Sequence, residues 1–385
     1  MFGQTPKSVY SMFGLGQMID KNYGVNRALG GTGIAFQSGN TINYINPASY
    51  LGLNSSFVLE LGLYGTVQKN SGSASAYSVG DINVSYFSTG INITDWWAFN
   101  FGFFPYSYVD YAVDTEEQIW GEPANVDKKY RGSGGINQIN FGNAVRVNKN
   151  LSLGVNSIYL LGTITHTESA YTNSGQTSFD LSSENSVQDF VLEYGLQYAI
   201  RRKQIQYVLG IVYCNGKNLD VNEETLFLYN GTEEPLREDE STGYIIPQKI
   251  GIGFALHKDD LWKFGVDYEW RNWSELEALN KNVSFRNSHS FSIGTEYSIV
   301  RFNRKFDLRT GFKFENSYLS VDGSAVDIYR LNMGLGIPYS SKNSVNLAFE
   351  FGQEGFGDAN RIKNTFWGFY LYFSLHEIWG GDARN

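Results

Sequence analysis

From Ser55 onward the chain alternates apolar and polar residues with a period of two, the pattern of a β-strand whose two faces meet different surroundings. In the first such segment Phe57, Leu59, Leu61, Leu63 and Val67 share one face, and Glu60, Gly62, Tyr64 and Thr66 share the other. A second, weaker segment runs from Asp81 to Ile93, and a third sets Trp97, Phe99, Phe101 and Phe103 against Ala98, Asn100 and Gly102. Further segments begin at Ile139, Leu151, Phe190, Tyr207, Ile250, Trp262, Phe291, Phe306, Tyr329, Val345 and Trp367, which brings the total to fourteen. The clearest is Trp262, Phe264, Val266, Tyr268 and Trp270 opposite Lys263, Asp267, Glu269 and Arg271. Four charges on alternate positions of one strand are costly against lipid and need a hydrated or paired interior.

The connections alternate in length. Polar loops are expected over 68–80, 108–132, 172–186 and 219–241, and a shorter one near Asp322 and Gly323. Tight turns are expected at Thr94 and Asp95, at Asn148 to Asn150, at Arg201 to Gln204 and at Lys258 to Asp260. Seven longer loops and six short turns fit an up-and-down barrel with both termini on the periplasmic side. Acids gather in the longer loops, above all in 219–241. Several short turns carry bases, among them Lys149, Arg201, Lys203, Arg304 and Lys342. Trp96, Trp262, Trp273 and Trp379 fall near strand ends, where interfacial girdles are expected. No blade-length repeat points to a propeller, and the lipid-type face recurs on nearly every strand. The prediction is an all-β protein: a 14-stranded antiparallel transmembrane β-barrel over 55–379, with a periplasmic tail over 380–385.

Composition agrees. Among 385 residues there are 27 Phe, 26 Tyr, 8 Trp and 42 Gly against 7 Pro and 4 Met, a balance that favours strands and turns. No run of eighteen apolar residues exists to cross a membrane as a helix. A net charge of -9 argues against nucleic acid as a partner, since phosphate neutralisation needs clustered Lys and Arg. Cys214 is the single cysteine, so no disulfide framework or thiolate metal cluster is expected. The opening MFGQTPKS lacks a basic and then apolar signal pattern; Met1 to Gly3 is read as the remnant of an export signal, with the mature protein starting near Gln4.

Catalysis finds little support, and the chain is read as no enzyme, with no cofactor and no metal. His166, His257, His289 and His376 are far apart and at no helical metal-ligand spacing. No GxSxG elbow is present, and the glycine groups at Gly251 and Gly334 lie within strands. His289 between Ser288 and Ser290 reads as polar residues at a strand end. The acidic loop lacks EF-hand spacing. Opposite charges on nearby strands, Asp267, Glu269 and Arg271 beside Arg309, Lys313 and Glu315, point to a paired network that fills a closed lumen.

The stretch before the first strand breaks the pattern: GVNRALGGTGIAFQSGNTINYINPASYLGL is glycine-rich, without alternation. It resembles the N-terminal hatch of the long-chain fatty acid transporter (FadL-like) family, in which a Gly-rich segment leads to an Asn-Pro-Ala motif just before strand one. The residues carrying the resemblance are Asn46, Pro47 and Ala48, preceded by Arg27, Ala28, Gly30, Gly31 and Gly33. The resemblance implies an arm over 1–26, a hatch or plug over 27–54, and a barrel in the bacterial outer membrane surrounded by its lipid. It also implies passive uptake of a hydrophobic, fatty-acid-like small molecule that leaves through a lateral opening at a kinked strand. Phe36, Tyr44, Ile45, Tyr50 and Leu51 become candidate ligand or lumen contacts, and Phe87, Ser88, Thr89 and Gly90 the candidate kink.

The chain departs from the family in its extra arm, Thr5 to Asn26, and in its polar, acidic loops. The style of the hatch and the Asn- and Tyr-rich strands look like a Bacteroidota branch, where relatives of this fold also serve in secretion or assembly machines. The alternative reading is therefore a non-transporting barrel subunit that scaffolds such a machine, with other outer-membrane or periplasmic proteins as partners. In that reading Val9, Tyr10, Met12, Phe13, Leu15 and Met18 of the arm dock on a partner rather than along their own barrel.

Overall fold

The computed structural model describes residues 9–377 apart from 72–75, 119–124, 173–176, 230–231, 234–243, 259–260, 274–282, 322–323, 341–342 and 356–362. The expectations at Met1 to Gly3, at Asp322 and Gly323, at Trp379 and over 380–385 fall outside the described residues. No described helix is long and apolar enough to cross a membrane, which says nothing of strands.

Fourteen strands of ten or more residues form the wall: β1 Phe57–Ser71, β2 Ala76–Thr94, β3 Trp97–Gln118, β4 Asn125–Arg146, β5 Leu151–Thr172, β6 Thr177–Arg202, β7 Ile205–Cys214, β8 Gln248–Lys258, β9 Trp262–Asn272, β10 Ser288–Arg301, β11 Arg304–Val321, β12 Ser324–Pro338, β13 Ser344–Glu354 and β14 Lys363–Glu377. Each pairs antiparallel with its sequence neighbour, and β14 pairs with β1 from Glu377↔Phe57 to Lys363↔Ser71, which closes the barrel. Closure removes the sheet edges that lipid cannot satisfy. The period of two sorts the side chains as expected. Leu209, Ile252, Phe291, Leu331 and Phe369 are exposed on the outer face, while Glu60, Asn100, Asn156, Gln197, Lys313 and Glu350 are buried on the inner one.

Several expected loops prove to be strand. β3, β4 and β5 each have 22 residues and β6 has 26, well beyond the roughly 9 to 11 that a bilayer requires. Pairing runs on from Tyr108↔Gly135 to Gln118↔Asn125, and Val221–Tyr229, inside the expected acidic loop, pairs with 180–187 of β6. The physical reason is that alternation reports a difference between the two faces, whereas backbone pairing does not need one. Where both faces meet water the ladder persists after its pattern fades. Trp273 is a second correction. It is 2% exposed and stacks on Tyr318 with ring centroids 4.3 Å apart, so it belongs to an internal cluster and not to an interfacial girdle.

One turn suits Asn303 and runs against the backbone preference of Phe302. Phe302 and Asn303 between β10 and β11 have φ of 54° and 55°, the left-handed pair of a type I′ hairpin whose twist matches the flanking strands.

Candidate functional site

Residues 22–53 are almost wholly buried against the inward side chains of the wall. The segment has little regular structure of its own, so its backbone groups must find partners among those side chains. Gly33 and Ile34 donate their N–H groups to the Asp267 carboxylate of β9 at 2.6 and 2.9 Å. The carbonyls of Ile34 and Phe36 accept from Gln197 of β6 at 3.0 and 3.2 Å. On the opposite wall, Glu60 of β1 accepts from the Ile42 N–H at 3.0 Å, the Tyr44 hydroxyl at 2.7 Å, the Tyr86 hydroxyl at 2.9 Å and Ser374 at 3.2 Å. A buried carboxylate with four donors is satisfied, and Glu60 is 1% exposed.

Asn46 organises the end of this segment. Its Oδ1 accepts from the Ala48 N–H at 3.0 Å, capping the short 3-10 helix Pro47–Gly52, and Pro47 in the first position gives up an N–H that has no intrahelical partner. Its Nδ2 donates to the carbonyls of Ile34 at 2.7 Å, of Leu196 in β6 at 3.1 Å and of Ile211 in β7 at 3.4 Å. Arg27 reaches Glu350 of β13 at 3.3 Å to each oxygen and lies 4.5 Å from the Tyr370 ring centre. Gly30 and Gly31, at φ 67° and 80°, turn the chain where it meets β11; a Cβ on Gly30 would lie 2.6 Å from the Phe312 nitrogen.

The arm supplies a second layer of contacts. Lys21 pairs with Glu193 at 3.0 Å, and Lys249 closes on the other Glu193 oxygen. Asp20 meets Lys313 at 2.9 Å, Arg330 at 3.1 Å and Arg271 at 3.9 Å. Arg271 turns to Glu269 at 2.6 Å, and Glu315 bridges Lys313 and Arg330 at 3.2 and 3.4 Å. Four carboxylates and five cations thus cross the lumen in one connected set, joined through Asp20 and Lys21. Burial would raise the Asp20 carboxyl, yet Lys313, Arg330 and Arg271 hold it well below the usual carboxylate range.

The seam between β2 and β3 is where the arm enters the wall. Gln17–Met18 forms a two-residue strand on Ser107 and Tyr108 of β3, and the Ile19 N–H donates to the Tyr106 carbonyl at 2.9 Å. Tyr23 donates to the Pro105 carbonyl at 2.6 Å and packs within an aromatic group of Tyr44, Tyr86 and Phe104. Two small cavities flank the arm, of about 100 Å³ beside Asp20, Lys21, Glu193 and Lys249 and about 130 Å³ beside Gln17, Arg27, Ser85 and Tyr108, and a larger one of about 500 Å³ lies beside Ser38, Asn40, Lys263, Glu296 and Arg309.

A family model described as BamG matches residues 1–382. The chain belongs to the BamG family. Its fold also recurs among solved structures. The Pseudomonas putida toluene transporter TodX has a TM-score of 0.65 at 17% identity, covering 94% of this chain and 100% of that one. The CymD monoaromatic hydrocarbon channel has a TM-score of 0.64 at 16% identity, with 95% and 99% covered. A Pseudomonas aeruginosa FadL homologue has a TM-score of 0.56 at 10% identity, with 97% and 98% covered. No curated protein matches the chain. The expected likeness to the fatty acid transporters is therefore one of fold, while the family itself is BamG; no relative supports the Bacteroidota placement.

In this BamG-family chain the sequence-predicted residues fall in different places. Asn46, Arg27 and Gly33 make the wall contacts described above, and Pro47 and Ala48 lie against Gly154 of β5, where an added Cβ would come within 2.4 and 2.5 Å of their backbone. Tyr44, Tyr50 and Leu51 share one buried cluster, Phe36 packs with Leu29 and Val208, and Ile45 with Ile34 and Val212. Of these candidate contacts Ile45 alone borders either small cavity. Tyr50 donates to Asn156 at 2.9 Å, and the Leu51 carbonyl accepts from Arg146 at 3.1 Å. Phe87 to Gly90 are in regular register with both β1 and β3; the irregularity lies just before them, where the ladder steps from Tyr86 to Val84 and leaves Ser85 unpaired.

Tyr10, Met12, Phe13, Leu15 and Met18 of the arm dock on their own barrel, contrary to the expectation. Leu15 packs with Val109 and Tyr111, and Tyr10, Phe13 and Met18 pack against the Trp273 and Tyr318 cluster. Sequence reading missed Asp20 and Lys21, whose signal, two adjacent charges in an apolar arm, gains meaning only beside the wall's inward charges. The candidate chemical residues are engaged in structural contacts. His289 contacts the Tyr268 hydroxyl at 2.7 Å, Ser288 accepts from Trp273, Cys214 is buried, and no metal-binding group of His, Cys, Asp or Glu occurs among the described residues.

Proposed function

We propose that this BamG-family chain lies in the bacterial outer membrane as a closed barrel and acts as a non-transporting subunit that scaffolds a multiprotein assembly machine. In this reading residues 1–26 are an arm, 27–54 a hatch, 55–379 the barrel and 380–385 a periplasmic tail. The observation that carries it is the lumen, crossed by the ion pairs of Asp20, Lys21 and Arg27. The cavities beside the arm, about 100 and 130 Å³, are smaller than the roughly 300–1,000 Å³ that sites for small molecules commonly occupy, and the one of about 500 Å³ beside Lys263, Glu296 and Arg309 is lined mainly by polar and charged residues, which suit no hydrophobic compound. Parting one buried ion pair costs on the order of 3–5 kcal/mol, and a path through the barrel parts several together. Such a barrel works through its outer wall, loops and ends.

A second reading, passive uptake of a hydrophobic compound, is favoured by the fold shared with proteins described as hydrocarbon channels. Purification from native membranes in mild detergent, with lipid analysis and ligand titration, separates the two. Scaffolding predicts stoichiometric protein partners and no saturable binding of oleate or toluene. A chain that purifies without protein partners refutes it, and saturable binding of either probe establishes uptake.

A further inference from the structure

One seam of the wall is paired over only part of its length. β2 and β3 are in register from Phe87↔Phe103 to Thr94↔Trp97, but from Ala76 to Tyr86 β2 pairs with β1 alone among the described residues. Three local features part the strands. Ser85 is extra in the β1–β2 ladder, Tyr106 is extra in the β3–β4 ladder, and Pro105, at the point of separation, has no N–H to offer.

The direction of the free backbone follows from one hydrogen bond. The Val84 N–H is taken by the Asn83 side chain at 2.8 Å, so Val84 turns its polar backbone away from β1. With a period of two and no further bulge, Ile82 and Gly80 turn theirs to the seam as well. Ile82 and Val84 are 79% and 55% exposed on the outer face. They are level with Gly65 and Leu63, and through these with Phe369 and Leu371 of β14, within the apolar band. Unpaired backbone at that depth is costly, because hydrocarbon offers no partner. The facing edge already receives a strand, since Gln17–Met18 is added to β3 at Ser107 and Tyr108.

We propose that Gly80 to Tyr86 of β2 is a strand-acceptor edge, and that its occupant is an extended, alternately apolar strand of a second outer-membrane barrel protein. Main-chain hydrogen bonds to Gly80, Ile82 and Val84, the last once its N–H exchanges the exposed Asn83 side chain for the incoming strand, give the affinity, and apolar side chains level with Ile82 and Val84 complete the lipid face. This deepens the scaffolding reading and rests on it for the nature of the partner.

The probe is a synthetic peptide with the sequence of this chain's own β14, Lys363 to Glu377, carrying a cysteine in place of Phe369. Full-length protein in lipid nanodiscs carries Ile82→Cys in a Cys214→Ala background. The control is Ile252→Cys on β8, which is paired on both sides, to Ile211 and Tyr268. Disulfide capture at Ile82→Cys is expected to exceed the control at least tenfold. It is expected to be lost with Val84→Pro, which removes a seam donor without touching the β1 ladder; heat-modifiable gel mobility confirms that each barrel is folded. Equal capture at both positions, insensitivity to Val84→Pro, or dimers joined through Ile82→Cys without peptide overturns the proposal. Native-membrane purification separates its failure from that of scaffolding. Wild-type protein with partners that Val84→Pro retains in full, and no peptide capture, sinks the acceptor edge alone. Wild-type protein without partners sinks scaffolding, while the peptide result still judges the edge.

Discussion

Replacing Asp20 by asparagine keeps the shape of the side chain and removes its charge. In the native lumen its carboxylate is the shared counterion of Lys313 at 2.9 Å, Arg330 at 3.1 Å and Arg271 at 3.9 Å. Glu315 and Glu269 still face these cations in the variant, so the loss is partial for each, but the arm's own contribution disappears. Removing one member of a buried ion pair costs about 3–5 kcal/mol, which corresponds to roughly two to three and a half decades in the equilibrium that opens the arm. Trypsin cleavage after Lys21, itself held by Glu193 at 3.0 Å, and hydrogen exchange of the amides over 19–26 report that opening. Both are expected to accelerate by two decades or more while the β-sheet signal of the barrel stays intact. Unchanged cleavage and exchange in Asp20→Asn would refute the view that these charges pin the arm.

The same carboxylate fixes the pH response. Its folded pKa is depressed, so its contribution is complete above the unfolded carboxylate value of about 3.9 and is lost only as pH falls through the lower folded value. Arm protection, corrected for intrinsic exchange, is therefore expected to be flat from pH 7 to about pH 5. Asn46→Ala removes the cap of Pro47–Gly52 and three donations to carbonyls; at about 1–2 kcal/mol for the cap alone, a lower urea midpoint for protection of residues 27–53 is expected. Gly311→Ala sets a methyl against the backbone of Leu29 and Gly30, an overpacking of about 1–3 kcal/mol that should expose Arg27 to trypsin. Glu60→Gln places an amide N–H₂ among four donors and is expected to cost about 1–3 kcal/mol, read as a lower temperature of heat modification.

Much of the wall was legible in the sequence because an apolar outer face and a polar lumen impose opposite demands on alternate residues. All fourteen expected strands are present, and Asp267, Glu269, Arg271, Lys313 and Glu315 lie on the inner face as their phase required. Strand ends were less legible where that contrast vanishes, as in the water-exposed continuations of β3 to β6. The Asn-Pro-Ala stretch stood out by lacking any period, but its partners did not, since a hydrogen bond from Asn46 to Leu196 spans 150 positions. The arm misled for a related reason. Its apolar residues look like a docking surface until Trp273 and Tyr318 are seen to face them, and neither residue announces an inward position by pattern alone.

The ion pairs of the N-terminal segment also set an order of events. Lys21 and Glu193 are separated by 172 positions and Arg27 and Glu350 by 323, so Lys21 finds its partner only when half of the wall is available and Arg27 only when nearly all of it is. Loop-closure entropy on that scale must be met before any reward is returned, and contacts of this range form late in folding. Residues 20–27 therefore travel as an uncommitted passenger while the strands assemble, and lock in full only when β13 and β14 complete the ring. A chain stalled before that step presents an apolar, glycine-rich end with its carboxylates and amines unspent. It is a species that holding factors can recognise and that proteases can clear.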